Sequence, residues 1–324
     1  MKTAEELREL QEKCRKKQVI NWLLFAGMLL LLAFSVQAIR NSVVGNSDGQ
    51  GVLYLLFISI VLSIMTAKSI FELSESFSKD VKRVIVEAAS EGMFDSFSYD
   101  PDKGFNIEAL ERADMMVGIR SCRTDDMMTG EYNDVKFYRG DVSLNYGKNQ
   151  MDTFHGTWTM YSFLKPIVSD LQITTEQMVM HSGVNRSKFT RKDEKRHLFI
   201  TGDPEFDSVF ACSGQDEREA MTLLTPMVRK RLIRLYQDTG LPIIVGWKGN
   251  TLHFITENAL APHGYSLYKN LDYDAMIADT RKKLFLTRRV IEELIMSRSV
   301  FSEYALEQYS MPVEAGHGEE LRRQ

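Results

Sequence analysis

The stretch Val19–Ile39 reads VINWLLFAGMLLLLAFSVQAI, 21 residues without a charged side chain. As an α-helix it would be about 31 Å long at 1.5 Å per residue, close to the roughly 30 Å hydrocarbon core of a bilayer. A signal peptide does not fit, because the apolar run exceeds a usual h-region and a second run follows closely. That second run, Val52–Ala67, reads VLYLLFISIVLSIMTA and has 16 residues. It sits at the short limit, but Lys68 can snorkel and let Ile70 and Phe71 extend the span. Together the two runs predict a transmembrane hairpin.

Charges on either side set the expected orientation. Lys2, Arg8, Lys13, Arg15, Lys16 and Lys17 precede the first run, and Lys68, Lys79, Lys82 and Arg83 follow the second. The connector Arg40–Gln50 holds a single basic residue, Arg40. Positive charge stays cytoplasmic, so both termini are expected inside and the connector outside. The connector is rich in turn formers and too short to be a domain.

The remainder must be polar, because the mean hydropathy of all 324 residues is only −0.22 despite the two apolar runs. That balance excludes a multi-span transporter and a wholly disordered chain. A net charge of −4 and a pI near 6.0 give no global reason to expect nucleic acid as a partner. Three distant cysteines, Cys14, Cys122 and Cys212, do not make a disulfide scaffold and suit a reducing compartment.

After the hairpin, Ile70, Leu73, Phe77, Val81, Val84 and Ala88 recur at steps of three and four, a stripe on a helix continuing the second span. Ala4, Leu7, Leu10 and Cys14 form a weaker stripe before the first span. Either these helices pack on each other or the stripe is a homo-oligomer seam. Gly92 ends the stalk. The expected organisation is an amphipathic segment over 1–18, the hairpin over 19–71, a helical stalk over 72–92, a cytosolic domain over 93–310 and a flexible tail over 311–324.

Within that domain, FDSFSYDPDKGF (94–105) is a turn-rich aromatic loop, and Asn106 can cap a short helix over 107–117. Thr129–Gly147 alternates and carries two turn signals, Asn133-Asp134 and Arg139-Gly140, predicting a β-meander. Thr153–Leu164 reads as a strand, with weaker ones at Leu171–Thr175 and His197–Thr201. The charged stretch between those two, SGVNRSKFTRKDEKR, reads as a solvated loop. DPEFDSVF (203–210) leads to a helix from about Asp216, and Thr225-Pro226 caps a second one that Gly240 stops. LPIIVGW and TLHFITE predict a hairpin around Lys248-Gly249-Asn250. A long helix is expected over Tyr273–Ser297. Strands and helices come in blocks, so the fold class is α+β: an antiparallel sheet with helices behind a two-helix anchor and stalk.

Several stretches together resemble a bacterial family, the domain-of-unknown-function family three-one-three-seven. They are Phe97–Phe105 (FSYDPDKGF), Asp126 through Gly130-Glu131-Tyr132, Phe154-His155-Gly156, Phe206–Phe210 (FDSVF), and Glu219-Ala220 through Leu224–Met227. Their order and the preceding two-helix anchor match as well, across nearly the whole chain. The basic stretch Asn185–Arg196 departs from the pattern. The resemblance implies a two-helix membrane anchor with a cytosolic domain in the bacterial inner membrane, and it brings no activity or catalytic residues.

Nothing in the sequence assembles a known catalytic set. The six histidines His155, His181, His197, His253, His263 and His317 form no HExxH pair, and there is no CxxC, GxxxxGK[ST], GxGxxG or GxSxG. No metal and no cofactor is therefore expected. Asp125-Asp126 could act as a carboxylate pair, though neighbouring acids in a loop are more often turn formers. The residues singled out as a ligand or partner surface are Phe97, Tyr99, Phe105, Asp126, His155, Arg229 and Arg234. The aromatics could meet a peptide or a lipid, or simply plug the core. The basic faces Arg229–Arg231 with Arg234, and Arg281–Lys283 with Arg288 and Arg289, could meet anionic lipid. The function expected is a membrane-anchored, non-enzymatic protein whose partners are the bilayer and another membrane protein or a second copy of itself. A membrane-tethered hydrolase and an anionic-lipid sensor are the alternatives.

Overall fold

A computed structural model describes residues 4–45, 50–146, 152–182, 184–185, 190–191, 196–257 and 265–295. The expected tail over 311–324, His263 and His317 lie outside the described residues. The chain divides into two compact units. The first comprises Met1–Met93, Tyr99–Pro101 and Ala261–Phe285; the second comprises Phe94–Ser98, Asp102–Leu260 and Leu286–Gln324.

The first unit is built on two long helices, α1 (Ala4–Gly45) and α2 (Gln50–Ser90). Both are long and apolar enough to cross a membrane, and only 6% and 17% of their most apolar windows are buried within the protein. Leu30 and Phe34 on α1 and Phe57 on α2 are among the large apolar side chains left exposed. Polar bonds knit the helices at one end of these runs: Asn21 Nδ2 donates to Ser69 Oγ at 3.2 Å and Gln18 Nε2 to the Ile70 carbonyl at 3.1 Å. Beyond that level the stalk stripe is buried within the chain. Leu7, Phe77, Val81 and Ile85 form one apolar cluster with Leu267 and Tyr273, from the segment that leads into α8 (Tyr273–Val290). The stripe is thus a seam between α1, α2 and a returning segment, which leaves Phe77 and Val81 no apolar surface for a second copy.

The second unit is a sheet with helices on both faces. The strands of the sheet are β1 (Ser96–Asp100, whose last two residues are counted with the first unit), β2 (Ile119–Tyr132), β3 (Val135–Tyr146), β4 (Asp152–Thr175), β7 (His197–Phe199), β8 (Phe210–Gly214) and β9 (Ile243–Glu257), in the order β1-β2-β3-β4-β8-β7 with β9 also on β4. The pairings β2–β3, β3–β4, β4–β8, β4–β9 and β7–β8 are antiparallel. A small separate ladder joins β5 (Val184–Asn185) and β6 (Thr190–Arg191). Helices are α3 (Ile107–Ala113), α4 (Val179–Ser182), α5 (Pro204–Val209), α6 (Glu217–Leu223) and α7 (Pro226–Thr239), and a π turn (Ile291–Ile295) follows α8. Side-chain caps start four of them. Asn106, Asp203, Asp216 and Thr225 each accept an orphan backbone N–H of the first turn, and Gly240 at φ 62° closes α7.

One sheet face carries a core of Phe137, Tyr161, Ile173, Val245 and Trp247, covered by Phe206 of α5, Leu224, Leu232 of α7 and the π turn. The other face carries Leu144, Phe154, Trp158 and Ile255, covered by Leu110 of α3 with Met115 and Met178. Full burial of each large apolar side chain contributes about 1.5–3 kcal/mol.

The structure corrects four expectations. The expected meander is a single hairpin: Asn133-Asp134 turns with both residues at positive φ, whereas Arg139-Gly140 lies inside β3. Gly140 is there for close approach, since a Cβ would stand 3.1 Å from the Phe105 ring. The strands expected at 153–164 and 171–175 are one strand, β4, and the expected hairpin around Gly249 is one strand, β9. Register shifts between Ser162, Ile167 and Leu171 absorb Pro166, and Gly249 at φ 58° bends β9 without reversing it. The two strands pair from Gly156–Glu257 to Thr174–Ile244, so the pairing continues on both sides of each weak point. The other side of β4 is shared, with β3 on its first half and β8 on its last five residues. Finally, the charged stretch before β7 does not end in solvent, because Arg196 is 1% exposed.

Candidate functional site

The strongest convergence of polar groups lies where β2 carries a bulge. Asp125 pairs with Asp141 and Met128 with Arg139, so Asp126 and Met127 together stand against Gly140 alone. Asp126 takes the left-handed conformation, φ 57°, which a short carboxylate side chain tolerates better than most. The loop before α3 lies on this bulge. Met127 N–H donates to the Lys103 carbonyl at 3.1 Å and Thr124 Oγ1 to the Phe105 carbonyl at 2.9 Å. Gly104 makes that approach possible, since a Cβ there would fall 2.0 Å from Thr124 Oγ1.

Asp125, Asp126 and Asp141 offer carboxylate oxygens that all lie within 4.8 Å of one another. Thr157 Oγ1 donates to Asp141 Oδ1 at 3.2 Å. Burial pushes the Asp141 carboxyl above its ordinary range; Arg139 pulls it back, while Asp126 and Asp125 push it further up. Carboxylate oxygens gathered this closely are the ligand type that a small hard cation takes. Asp141 was not among the residues singled out from sequence, but a signal existed. Counting outward from a two-residue turn at Asn133-Asp134 places residue 126 opposite 141.

The other residues singled out do not join this cluster. His155 is exposed on β4, opposite Ser143. Phe97 stacks on Phe94, with ring centroids 5.6 Å apart, and Phe94 packs on Phe137, so this pair caps the first core. Phe105 packs against the second core and Tyr99 is buried. The aromatics of the loop are therefore divided between the two sheet faces rather than gathered in one surface. Arg229 is tied down, with Nε on Asp203 Oδ2 at 3.2 Å and Nη1 on the Leu224 carbonyl at 2.9 Å. Arg234 is exposed. The rest of the basic faces are largely engaged: Arg231 and Arg289 on Glu293, Arg289 also on Asp238, Lys283 on Asp279, Arg288 on Glu292, and Arg281 on the Glu91 carbonyl.

A second polar group, not expected from sequence, is buried behind the sheet. Arg196 Nη1 donates to the Asp114 carbonyl at 2.9 Å and to Gln172 Oε1 at 2.8 Å. Its Nη2 lies 3.8 Å from Asp114 and 3.7 Å from Asp170, which also meets Lys248 at 3.7 Å. His253 is buried, and its Nδ1 accepts from Trp158 Nε1 at 3.2 Å. Burial, with Lys248 and Arg196 nearby, lowers its pKa to about 3, so it stays a neutral acceptor. No spacing rule points to Arg196; its burial depends on where β7 lands beside β8.

Fold and site together define a class: a pair of membrane-type helices joined to an antiparallel sheet domain with no assembled catalytic triad among the described residues. Residues 152–295, from β4 to the π turn, match the family model DUF3137, a protein of unknown function, which agrees with the resemblance read from the motifs. No match was found among curated proteins. Among solved structures, the crystal structure of the mycobacterial trehalose monomycolate transport factor A is similar at 8% identity and a TM-score of 0.31, covering 66% of this chain and 95% of that one. A likeness at that level carries no functional argument.

Proposed function

We propose that this protein is anchored in the bacterial inner membrane by α1 and α2, with both termini in the cytosol, and that its sheet domain works there by binding another protein. The observation that carries the anchor is the exposed apolar surface of the two helices, with Leu30 73% and Phe34 71% exposed. Such surface is costly in water and at home in hydrocarbon. Basic residues at the outer ends of the hairpin support the orientation. Binding rather than catalysis is supported by how the polar groups are committed. His253 spends its lone pair on Trp158, and the group whose ligand atoms converge within 4.8 Å consists of Asp125, Asp126 and Asp141 without His155. Self-association through the stalk loses its motive, because the returning segment covers the stripe. On the domain itself, Ile200 and Met227 are exposed apolar residues, a few positions along the chain from Asp203 and Arg229, which pair with each other.

Two measurements test this reading. In intact cells an impermeant maleimide should label Ser47→Cys but not Glu217→Cys, an exposed position on α6; labelling of Glu217→Cys alone would invert the topology. The native cysteines are poor reporters, since Cys212 is buried and burial raises the Cys122 thiol to about 11. A photo-crosslinking residue at Ile200 or Met227 should give a discrete adduct in native membranes. Equal yields from Glu217 would remove the case for a partner at this place.

A further inference from the structure

The segment that returns to the first unit is held at a defined height on the hairpin. Gln11, buried on α1, donates from Nε2 to the Leu267 carbonyl at 3.1 Å and to the Lys269 carbonyl at 2.8 Å. Arg15 repeats the pattern one turn nearer the apolar run, with Nε on the Leu267 carbonyl and Nη2 on the Lys269 carbonyl. On the other helix, Ser78 Oγ accepts the Tyr265 N–H at 2.9 Å. At 1.5 Å per residue, Arg15 lies about 6 Å and Gln11 about 12 Å outside Val19, where the apolar run begins. Ser78 lies about 10 Å beyond Phe71 on the same scale. Two helices thus place the segment independently at one level. A headgroup layer is about 5–8 Å thick on each side of the hydrocarbon, so Arg15 falls within it and Gln11 and Ser78 a few ångströms beyond it.

The turn itself divides its side chains. Leu267 is 2% exposed and joins the apolar cluster with Phe77 and Tyr273, whereas Tyr268 is 56% exposed and Lys269 and Asn270 are exposed beside it. The Tyr268 N–H rests on Ser266 Oγ, which fixes the turn. Tyrosine suits a membrane–water boundary because its ring is apolar and its hydroxyl is wet. The neighbouring stretch of α1 is charged to match. Its acids Glu5, Glu6, Glu9 and Glu12 stand away from the apolar run, and the last charges before Val19 are Lys13, Arg15, Lys16 and Lys17. Basic side chains at this level are drawn to an anionic leaflet.

We propose that the turn Tyr268–Lys269–Asn270 is an interfacial anchor that meets the lipid headgroup layer of the membrane crossed by α1 and α2. This rests on the anchoring reading above. The turn sets how deep the hairpin sits, because Gln11 and Arg15 of α1 hold the Leu267 and Lys269 carbonyls and Ser78 of α2 holds the Tyr265 N–H just before it.

The test uses the full chain in liposomes containing anionic lipid, on a Cys14→Ala, Cys122→Ala, Cys212→Ala background. Single nitroxide labels go at Tyr268→Cys, Lys269→Cys, Leu31→Cys in the apolar run, and Glu217→Cys. Nickel held on a chelating lipid headgroup should relax the labels at 268 and 269 several-fold more than the label at 217. Dissolved oxygen should relax the label at 31 most. Labels at 268 and 269 that behave like the one at 217, with 31 in the hydrocarbon, would overturn the anchor turn alone. A water-exposed label at 31 would overturn the membrane reading and this inference with it.

Discussion

Replacing Arg196 with methionine tests the polar cluster behind the sheet. The guanidinium is 1% exposed and makes two close bonds, 2.9 Å to the Asp114 carbonyl and 2.8 Å to Gln172 Oε1. A bond to a charged group contributes about 1.5–3 kcal/mol net. Against these stands desolvation, which here includes an Nε and an Nη2 with no hydrogen-bond partner. Methionine fills similar space but leaves Gln172 and the Asp114 carbonyl short of a donor and weakens the pairing of Asp170, which keeps Lys248. Removing one side of a buried charged pair costs about 3–5 kcal/mol, and the retained lysine puts Arg196→Met near the lower end, about 3 kcal/mol. With an m-value of about 1–3 kcal/mol per molar urea, the unfolding midpoint should fall by about 1–3 M. Emission from the buried Trp158 and Trp247 reports this transition in the full chain. Arg196→Lys should recover less than half of the loss, because an ammonium cannot reach both acceptors in the plane of a guanidinium. A cost below about 1 kcal/mol for Arg196→Met would refute the reasoning, since it would mean that the arginine's bonds only repay its burial.

Three further expectations follow from the same geometry. Asp141→Asn should stabilise the protein at pH 7: a carboxyl whose folded pKa is raised favours folding below its unfolded value, and that contribution is lost as pH rises through the folded pKa. The gain should shrink toward zero as pH falls to the ordinary carboxyl range near 3.8, and a gain independent of pH would point to packing instead. Phe77→Ala should lower stability by about 3–5 kcal/mol without changing the mass of the detergent-solubilised particle, because the seam lies within one chain; a change in mass would restore an intermolecular seam. Gly249→Val should cost about 1–2 kcal/mol through its left-handed backbone alone, and Gly249→Asn less, as measured by thermal unfolding.

The membrane-type hairpin was legible in the sequence because it is a local property. A charge-free run as long as a bilayer is thick needs no tertiary partner to be recognised, and the charges beside it carry the orientation argument. Helix starts were legible for the same reason: Asn106, Asp216 and Thr225 satisfy N–H groups two or three residues away. Even so, α5 and β8 were read only as a lead-in, since six and five residues are too few for a periodic signal. What the tertiary structure alone decided is everything that depends on a partner distant in the chain. Pro166 and Gly249 read as breaks, and they remain inside strands because β4 and β9 support one another across both faults. Asp125-Asp126 reads as a turn until β3 brings Asp141 alongside and the loop at Lys103 locks the bulge. The stalk stripe leaves open whether the two helices pack on each other or on a second copy until Leu267 and Tyr273 return to cover it, some two hundred residues along the chain. Arg196, in a run of charges that suggests solvent, is buried because β7 pairs with β8 and delivers it to Gln172. Burial is a property of the assembled surface, and no local pattern in the chain encodes it.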